Sequence, residues 1–292
     1  MSSITYELYD DHRHWLSPRV RLALRSVEYR SRLAARAFVP GRRLHPSLVV
    51  IGTFKGGTTS LFEALARHPG VAPPLVKEVH YFDLNWHHRR AWYWRHFPRA
   101  ASARGRVTME ASPGYLVHPD AAARAHRVIP EARIAVLLRH PVERAIAHYF
   151  HERLLGRERR DLEEALEARE SDILPADAMR AHRGQLPRRY FREAYLACGR
   201  YAEQLRPWLT TFGRDRVLVQ FTEEFFNHPN DVLARVFAFA DLPSARVHVD
   251  VHTLGGLSSR SRALAIGLWQ RYRSSNTELA ELLGRPLPWT SP

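Results

Sequence analysis

Two short segments of the chain carry the residue types that chemistry on an anionic group would need. The first, GTFKGGTTS at 52–60, combines three glycines, one lysine and four hydroxyl side chains. The second, KEVHYFD at 77–83, places a lysine, a carboxylate and a histidine within four residues. Glycines let backbone N–H groups approach an anion. The first segment therefore predicts a phosphate-binding loop, and the second offers groups that move a proton or stabilise charge.

Lysine itself is rare in this chain. Lys55 and Lys77 are the only lysines among 44 basic residues, and arginine supplies the rest. A compact ammonium with three donors and a planar guanidinium with five act differently at a crowded phosphate or sulfuryl site. Because both lysines fall in the two chemical segments, we expect a function for each, with coincidence as the alternative.

Composition limits the class of protein. A length of 292 residues with 45% hydrophobic content suits one large domain with a sizeable core. The net charge of +14 favours anionic partners. The single cysteine, Cys198, excludes an intramolecular disulfide and a multi-cysteine metal site. The acidic N-terminus lacks a signal-peptide pattern and no apolar run approaches the ~20 residues that span a bilayer, so we expect a soluble cytoplasmic protein.

The elements that must position these segments alternate between strand and helix. A β-branched run at 48–51 precedes the glycine loop, and a helical pattern follows it. Further strands are predicted at 107–110, 134–138 and 217–221, and helices at 120–127, 141–155, 201–212, 229–240 and 261–283. This alternation predicts an α/β fold, a P-loop-like three-layer sandwich whose central parallel sheet is flanked by helices.

The domain organisation is expected to be simple. Residues 1–46 form a basic helical N-terminal extension, and residues 47–292 form one domain. The helix predicted at 17–39 either makes a peripheral contact with an anionic membrane or packs on its own domain. The charged segment 157–198 is predicted to be an insert, either facing the substrate or forming a solvated pair of surface helices.

The glycine loop differs from that of nucleoside triphosphatases. Thr58 stands where their pattern requires lysine, and Lys55 lies inside the loop instead. No strand ends in an aspartate that would anchor Mg²⁺. We therefore expect a diphosphate-like ligand without a metal. A P-loop-type kinase dependent on Mg²⁺ is one alternative, and a basic nucleic-acid-binding protein is another, although no zinc-finger or RRM signature supports it.

The order of strand, G-x-x-K-G-G-T-T-S and helix resembles the 5′-phosphosulfate loop of sulfotransferases that use 3′-phosphoadenosine-5′-phosphosulfate (PAPS). The similarity is closest to their carbohydrate, heparan sulfate-type O-sulfotransferase branch. It implies a domain whose phosphosulfate ligands are Lys55, Gly56, Gly57, Thr58, Thr59 and Ser60. By the same resemblance Lys55 lies at the oxygen that bridges phosphate and sulfuryl groups.

Two further motifs extend the resemblance. RIAVLLRHPVERAIAHY at 133–149 is similar to the family's 3′-phosphate motif, which implies Arg139 as the 3′-phosphate ligand. Ala147 takes the place of the family's serine, and Arg144 is expected to pack or to form an internal ion pair. LGGLSSRSR at 254–262 resembles the C-terminal nucleotide loop only at Arg260, and a helix-capping serine cluster is the alternative there.

The segment 77–83 resembles the Lys-Glu-x-His-Phe-Phe segment of glycan O-sulfotransferases. The resemblance implies that Glu78 is the base for the acceptor proton, and that Lys77 and His80 orient the acceptor or stabilise charge. Because a neighbouring ammonium lowers the pKa of a carboxyl, burial would have to oppose that effect. The alternatives are a surface ion pair for Lys77 and Glu78, and a structural role for His80.

The resemblance also bears on the acceptor. Ala111 replaces a lysine that contacts the acidic glycan in the family, which argues against a heparan-like polyanion. The expected reaction moves a sulfuryl group from PAPS, as co-substrate, to a hydroxyl of a carbohydrate or small molecule. It needs no metal and no nucleic-acid partner.

Overall fold

The computed structural model of the chain describes residues 18–167, 176–181, 194–250 and 262–291. Within these ranges four strands form one parallel sheet in the order β2-β1-β3-β4. The strands are β1 (Pro46–Val50), β2 (Thr108–Ala111), β3 (Arg133–Leu138) and β4 (Val217–Phe221). Each runs close to a hydrophobic segment from which a strand was predicted.

Helices follow the strands and flank the sheet. Those before β3 are α1 (Pro18–Phe38), α2 (Thr58–Arg67), α3 (Arg90–Trp94), α4 (Ala100–Ala103) and α5 (Ala121–Val128). Those after it are α6 (Pro141–Leu154), α7 (Leu162–Glu167), α8 (Ala176–Ala181), α9 (Tyr201–Phe212), α10 (Thr222–Asn227), α11 (Pro229–Phe239) and α12 (Arg262–Leu283).

The sheet is buried on both faces. Successive side chains of a strand point to opposite faces. Val49 of β1 therefore belongs to one core, with α5, α9 and the segment 75–97, and Val50 belongs to the other, with α2 and α11. The two cores separate a middle layer of strands from two layers of helices. This confirms the predicted three-layer α/β sandwich.

Aromatic residues at 81–97 form much of the first core. Tyr93 and Phe97 are fully buried, and the rings of Tyr81 and Tyr93 stack with centroids 4.5 Å apart. The indoles of Trp86 and Trp92 pack half-buried against the same cluster. The role of these rings is therefore packing beneath the segment that carries Lys77, Glu78 and His80.

Helix α1 packs on the same domain. Tyr29 and Leu33 are buried, and the Tyr29 hydroxyl lies 2.8 Å from His96 Nε2. Arg36 Nη1 donates to the carbonyl oxygens of Arg95 and His96 at 3.0 and 3.1 Å. No helix in the described part of the chain is long and apolar enough to cross a membrane. Of the predicted insert, α7 and α8 are described, and 168–175 and 182–193 lie outside the described residues.

Candidate active site

Three loops meet at one edge of the sheet because parallel strands end on the same side. The loop after β1 pairs with β3 through Thr53 N and Leu137 O at 2.9 Å. The loop after β2 joins β1 through Ser112 N and Val50 O at 3.0 Å. The segment 77–83 crosses the end of β2, where Glu78 N donates to Ala111 O at 2.9 Å. The two segments singled out in the sequence therefore lie on neighbouring strand ends.

The glycine loop is held tightly between β1 and α2. A Cβ on Gly56 would lie 2.6 Å from Thr53 Cγ2 and 2.7 Å from Leu137 O, so only glycine fits there. The Thr222 hydroxyl, directly after β4, donates to Gly56 O at 2.8 Å and so fixes the position of the loop. Gly57, with φ of 82°, precedes α2, and no side chain among the described residues caps that helix. Its first-turn N–H groups therefore suit an anion.

The surroundings of Lys55 are electropositive. Burial, together with Arg144 and Lys55, lowers the pKa of His148 well below its usual value. Burial and the Lys55 ammonium also lower the pKa of His151 to about 4, while Glu78 opposes the shift. Both histidines are therefore neutral at pH 7, and the remaining positive charge suits a phosphosulfate. The charges of both Lys55 and Glu78 affect the pKa of His151, so its side chain lies near both segments.

Arg139 follows β3 and lies beside the glycine loop. Its Nη1 donates to Lys55 O at 3.3 Å, and its Nη2 lies 3.3 Å from Glu143 Oε2. Ala147 is buried and offers no hydroxyl. Arg144 is fully buried and donates to the backbone carbonyl of Tyr195, which agrees with the packing role expected of it. Arg260 lies outside the described residues.

Lys77 and Glu78 form a pair that is largely buried. The Lys77 ammonium donates to Glu78 Oε1, and the Lys77 side chain is only 4% exposed, against 22% for Glu78. The alternative of a surface ion pair is therefore wrong. The backbone of Glu78 has a φ of 64°. Bulky residues adopt this left-handed region rarely, and such strain concentrates at functional sites.

His80 joins Glu78 to a second carboxylate. Its Nε2 lies 3.4 Å from Glu78 Oε2, and its Nδ1 lies 2.8 Å from Asp83 Oδ2. The Asp83 side chain is fully buried, and its Oδ1 accepts the N–H of Leu84 at 2.7 Å. The three side chains form a continuous line from the buried Asp83 to the more exposed Glu78.

The charges along this line determine its protonation. Burial raises the pKa of Glu78, but the Lys77 ammonium and His80 outweigh it and hold the pKa well below its usual value. Burial lowers the pKa of His80, but Asp83 and Glu78 outweigh it and raise the pKa to about 10. At neutral pH Glu78 is therefore a carboxylate and His80 an imidazolium. The sequence predicts that burial and the Lys77 ammonium shift the pKa of Glu78 in opposite directions. In the structure the effect of the ammonium and His80 is the larger one, and the carboxyl is ionised.

A second buried carboxylate, Glu110 at the end of β2, positions this segment. Its oxygens accept the hydroxyls of Tyr93 at 2.5 Å, Ser112 at 3.0 Å and Tyr115. The Ser112 oxygen accepts the N–H of His80 at 3.1 Å, and the Tyr115 oxygen accepts the N–H of Tyr81 at 2.7 Å. Glu110 thus orients two hydroxyls that hold the backbone at the centre of the site.

Sequence reasoning assigned no role to Asp83 or Glu110. Asp83 had a signal, because it lies three residues after His80 in the segment already singled out. Glu110 had only its place at the end of a predicted strand, and its partner Tyr93 is 17 residues away in sequence. Among the described residues no group of three or more His, Cys, Asp or Glu side chains could hold a metal ion.

Fold and site define an α/β protein with a glycine loop before α2 and a line of charged side chains from Asp83 to Glu78 at one sheet edge. Residues 45–254 match the family model of the sulfotransferase domain, and the chain belongs to that family. This confirms the resemblance drawn from the motifs.

The comparisons with individual proteins agree. The chain is 32% identical over 213 residues to human heparan sulfate glucosamine 3-O-sulfotransferase 6, across 73% of this chain and 56% of that protein. It is 32% identical to mouse heparan sulfate glucosamine 3-O-sulfotransferase 3B1, across 73% of this chain and 50% of that one. The chain thus spans about half the length of these relatives. The crystal structure of a sulfotransferase from Alicyclobacillus acidocaldarius is 28% identical, with a TM-score of 0.64, and the match covers 83% of this chain and 97% of that one.

Proposed function

We propose that this chain transfers a sulfuryl group from PAPS to a hydroxyl group of a carbohydrate. The observation that carries the proposal is the meeting of two segments at the ends of β1 and β2. The Lys55 loop offers a close-fitting glycine backbone and a helix N-terminus to a phosphosulfate, and the Glu78 carboxylate, held beside His80 and Asp83, is the group that would accept a proton. Family membership supports the same reaction class.

On the donor side, the chain would bind an anion along two neighbouring loops. The 5′-phosphosulfate lies on the backbone from Lys55 to Ser60, at the N-terminus of α2. The Lys55 ammonium neutralises charge on the bridging oxygen as the bond from that oxygen to sulfur breaks. Arg139, just after β3 and beside the glycine loop, would bind the 3′-phosphate, where a guanidinium binds two oxygens at once. Arg260 would contribute to the same nucleotide.

On the acceptor side, Glu78 is the base. As the acceptor oxygen forms its bond to sulfur, its proton passes to the Glu78 carboxylate, and the products are a sulfate ester and 3′-phosphoadenosine-5′-phosphate (PAP). Lys77 and His80 hold the carboxylate in place, and Asp83 holds His80. No covalent enzyme intermediate is needed.

The depressed pKa of Glu78 makes it a weak base in the free protein. An anionic donor beside Lys55 adds negative charge near Glu78, and a neighbouring negative charge raises the pKa of a carboxyl. Donor binding therefore moves Glu78 toward the proton affinity that the transfer requires. We accordingly expect the pKa of Glu78 to be higher in the donor-bound protein than in the free protein.

A carbohydrate acceptor is supported by the two heparan sulfate-acting relatives, whose names specify a sugar hydroxyl. Ala111, however, is fully buried at the end of β2 and supplies no cation. We therefore favour a sugar with less negative charge than heparan sulfate.

The test is label transfer from PAPS carrying a radioactive sulfuryl group to three acceptors: a neutral oligosaccharide, a heparan-type oligosaccharide and a phenol. Glu78→Gln keeps the shape of the side chain and removes the base, so turnover should fall by roughly 10²–10⁴. Affinity for PAP should remain. Glu163→Gln, at an exposed position on α7, is the matched control. Transfer that survives in Glu78→Gln refutes the assignment of the base, and transfer to the phenol alone refutes the acceptor class.

A further inference from the structure

Helix α1 has a second apolar face, opposite the one that packs on the domain. Leu24, Val27 and Phe38 are 41%, 65% and 86% exposed. Residues spaced by three and four along a helix share a face. Ala34 and Ala35 share this face and are also exposed, with Ser31 between them and Val27; the Ser31 hydroxyl donates to Glu28 O at 2.9 Å. We call the five hydrophobic residues of this face the outer stripe.

The outer stripe is unusual for a surface helix because it exposes large hydrophobic side chains where polar ones would be expected. A single exposed hydrophobic residue needs no explanation, but a continuous apolar stripe marks an interaction surface. Tyr29 and Leu33 already fix α1 to the domain from its other side. The outer stripe is therefore presented outward by a docked helix.

Arginines crowd around the C-terminal half of the same helix. Arg30 and Arg32 are exposed on α1, and Arg32 pairs with Glu28 at 2.7 Å. Arg42 and Arg99 are exposed just beyond the helix, where the backbones of Arg43 and Arg99 pair. Burial, Arg43 and Arg32 lower the pKa of Arg36. Burial, Arg99 and Arg95 lower the pKa of Arg43. Guanidinium groups therefore lie close enough to repel one another, and an anionic partner would relieve that repulsion.

We propose that α1 lies flat on an anionic lipid surface, with the outer stripe among the acyl chains and the surrounding arginines on lipid phosphates. An apolar stripe bordered by arginine is the pattern of an interfacial helix. Nucleic acid or a soluble polyanion would use the arginines and leave Phe38 and Val27 in water. A second copy of this chain would bring two arginine clusters together. Of these partners, only the lipid surface satisfies both the stripe and the charge.

The experiment is sedimentation of the full chain with vesicles of phosphatidylcholine alone or mixed with phosphatidylglycerol. We expect binding to the anionic vesicles that weakens with salt, since exposed charges are screened. Phe38→Ser should lower the partition constant roughly tenfold, because it removes a phenyl group from the apolar phase. Leu154→Ser is the matched control, since Leu154 is 73% exposed on α6. It should bind as the wild type does.

Three results would overturn the proposal. The first is no binding to anionic vesicles by the wild-type chain. The second is equal binding by Phe38→Ser and the wild type. The third is a dimer in light scattering that Phe38→Ser converts to a monomer while vesicles stay unbound, which would assign the outer stripe to a second copy. None of these measurements involves sulfuryl transfer, so they test membrane binding by α1 independently of the proposed enzymatic activity.

Discussion

Replacing Glu110 by glutamine tests how the buried carboxylate supports the site. Burial raises the pKa of Glu110 to about 7, against the lowering effect of its hydroxyl donors Tyr115, Tyr93 and Ser112. The side chain has no exposed surface. A carboxyl with a higher pKa in the folded state than in the unfolded state binds its proton more tightly when folded. Its contribution to stability is therefore full below pH 4.5 and is lost as the pH rises through about 7.

The size of this contribution follows from the two pKa values. One pKa unit corresponds to about 1.4 kcal/mol, so a change from 4.5 to about 7 corresponds to about 3 kcal/mol. Glutamine at this position does not titrate, and other groups contribute equally to both proteins. The unfolding free energy of the wild type minus that of Glu110→Gln should therefore fall by about 3 kcal/mol between about pH 4.5 and 8.

Urea unfolding followed by tryptophan fluorescence at successive pH values measures this difference. Glu163→Gln, at an exposed site, should show a difference from wild type that does not change with pH. Tyr93→Phe removes one donor to Glu110, so the pH of the transition should rise in that variant. A wild-type minus Glu110→Gln difference that stays flat across this range would mean that the pKa of Glu110 is the same in the folded and unfolded states, and would refute the reasoning.

Three further predictions concern the line from Asp83 to Glu78 and the glycine loop. A Cβ on Gly114 would overlap Asp83 Oδ2, so Gly114→Ala should lower turnover at least about tenfold without weakening PAP binding. Gly267→Ala is the control, because a Cβ there meets open space. It should match the wild type in steady-state assays. Asp83→Asn removes the charge that raises the pKa of His80 most. In the wild type, His80 contributes stability that is full below pH 6.5 and is lost as the pH rises through about 10. In Asp83→Asn this loss should occur at lower pH, which the melting temperature measured against pH would show. Lys55→Arg should lower turnover roughly tenfold or more, and near-normal turnover would contradict a specific need for lysine.

The local elements could be predicted from the sequence because hydrophobic runs and glycines determine them. Residues 134–138 were predicted as a strand and form most of β3, and the glycine loop lies between β1 and α2 as expected. The strand order β2-β1-β3-β4 could not be predicted, since it depends on pairing between distant segments. That order brings Lys55 and Glu78 to neighbouring strand ends.

The candidate site was only partly predictable for the same reason. Lys77 and Glu78 are neighbours in sequence, but only burial distinguishes a solvent-exposed ion pair from one held in a fixed position. Burial depends on the fold. Glu110 looked like the polar end of a strand. Its role depends on Tyr93 from α3, which no local pattern connects to it. The ligand roles of Arg139 and residues 55–60 stay predictions.

Binding of PAP, the nucleotide product, separates sulfuryl transfer from phosphoryl transfer. We propose titrating the chain with PAP, AMP and ATP with Mg²⁺ in a calorimeter. We expect PAP to bind roughly 10- to 100-fold more tightly than AMP, through charged hydrogen bonds to the 3′-phosphate. Arg139→Ala should reduce that preference. Tight binding of ATP with Mg²⁺ and no binding of PAP would refute sulfuryl transfer and favour phosphoryl transfer.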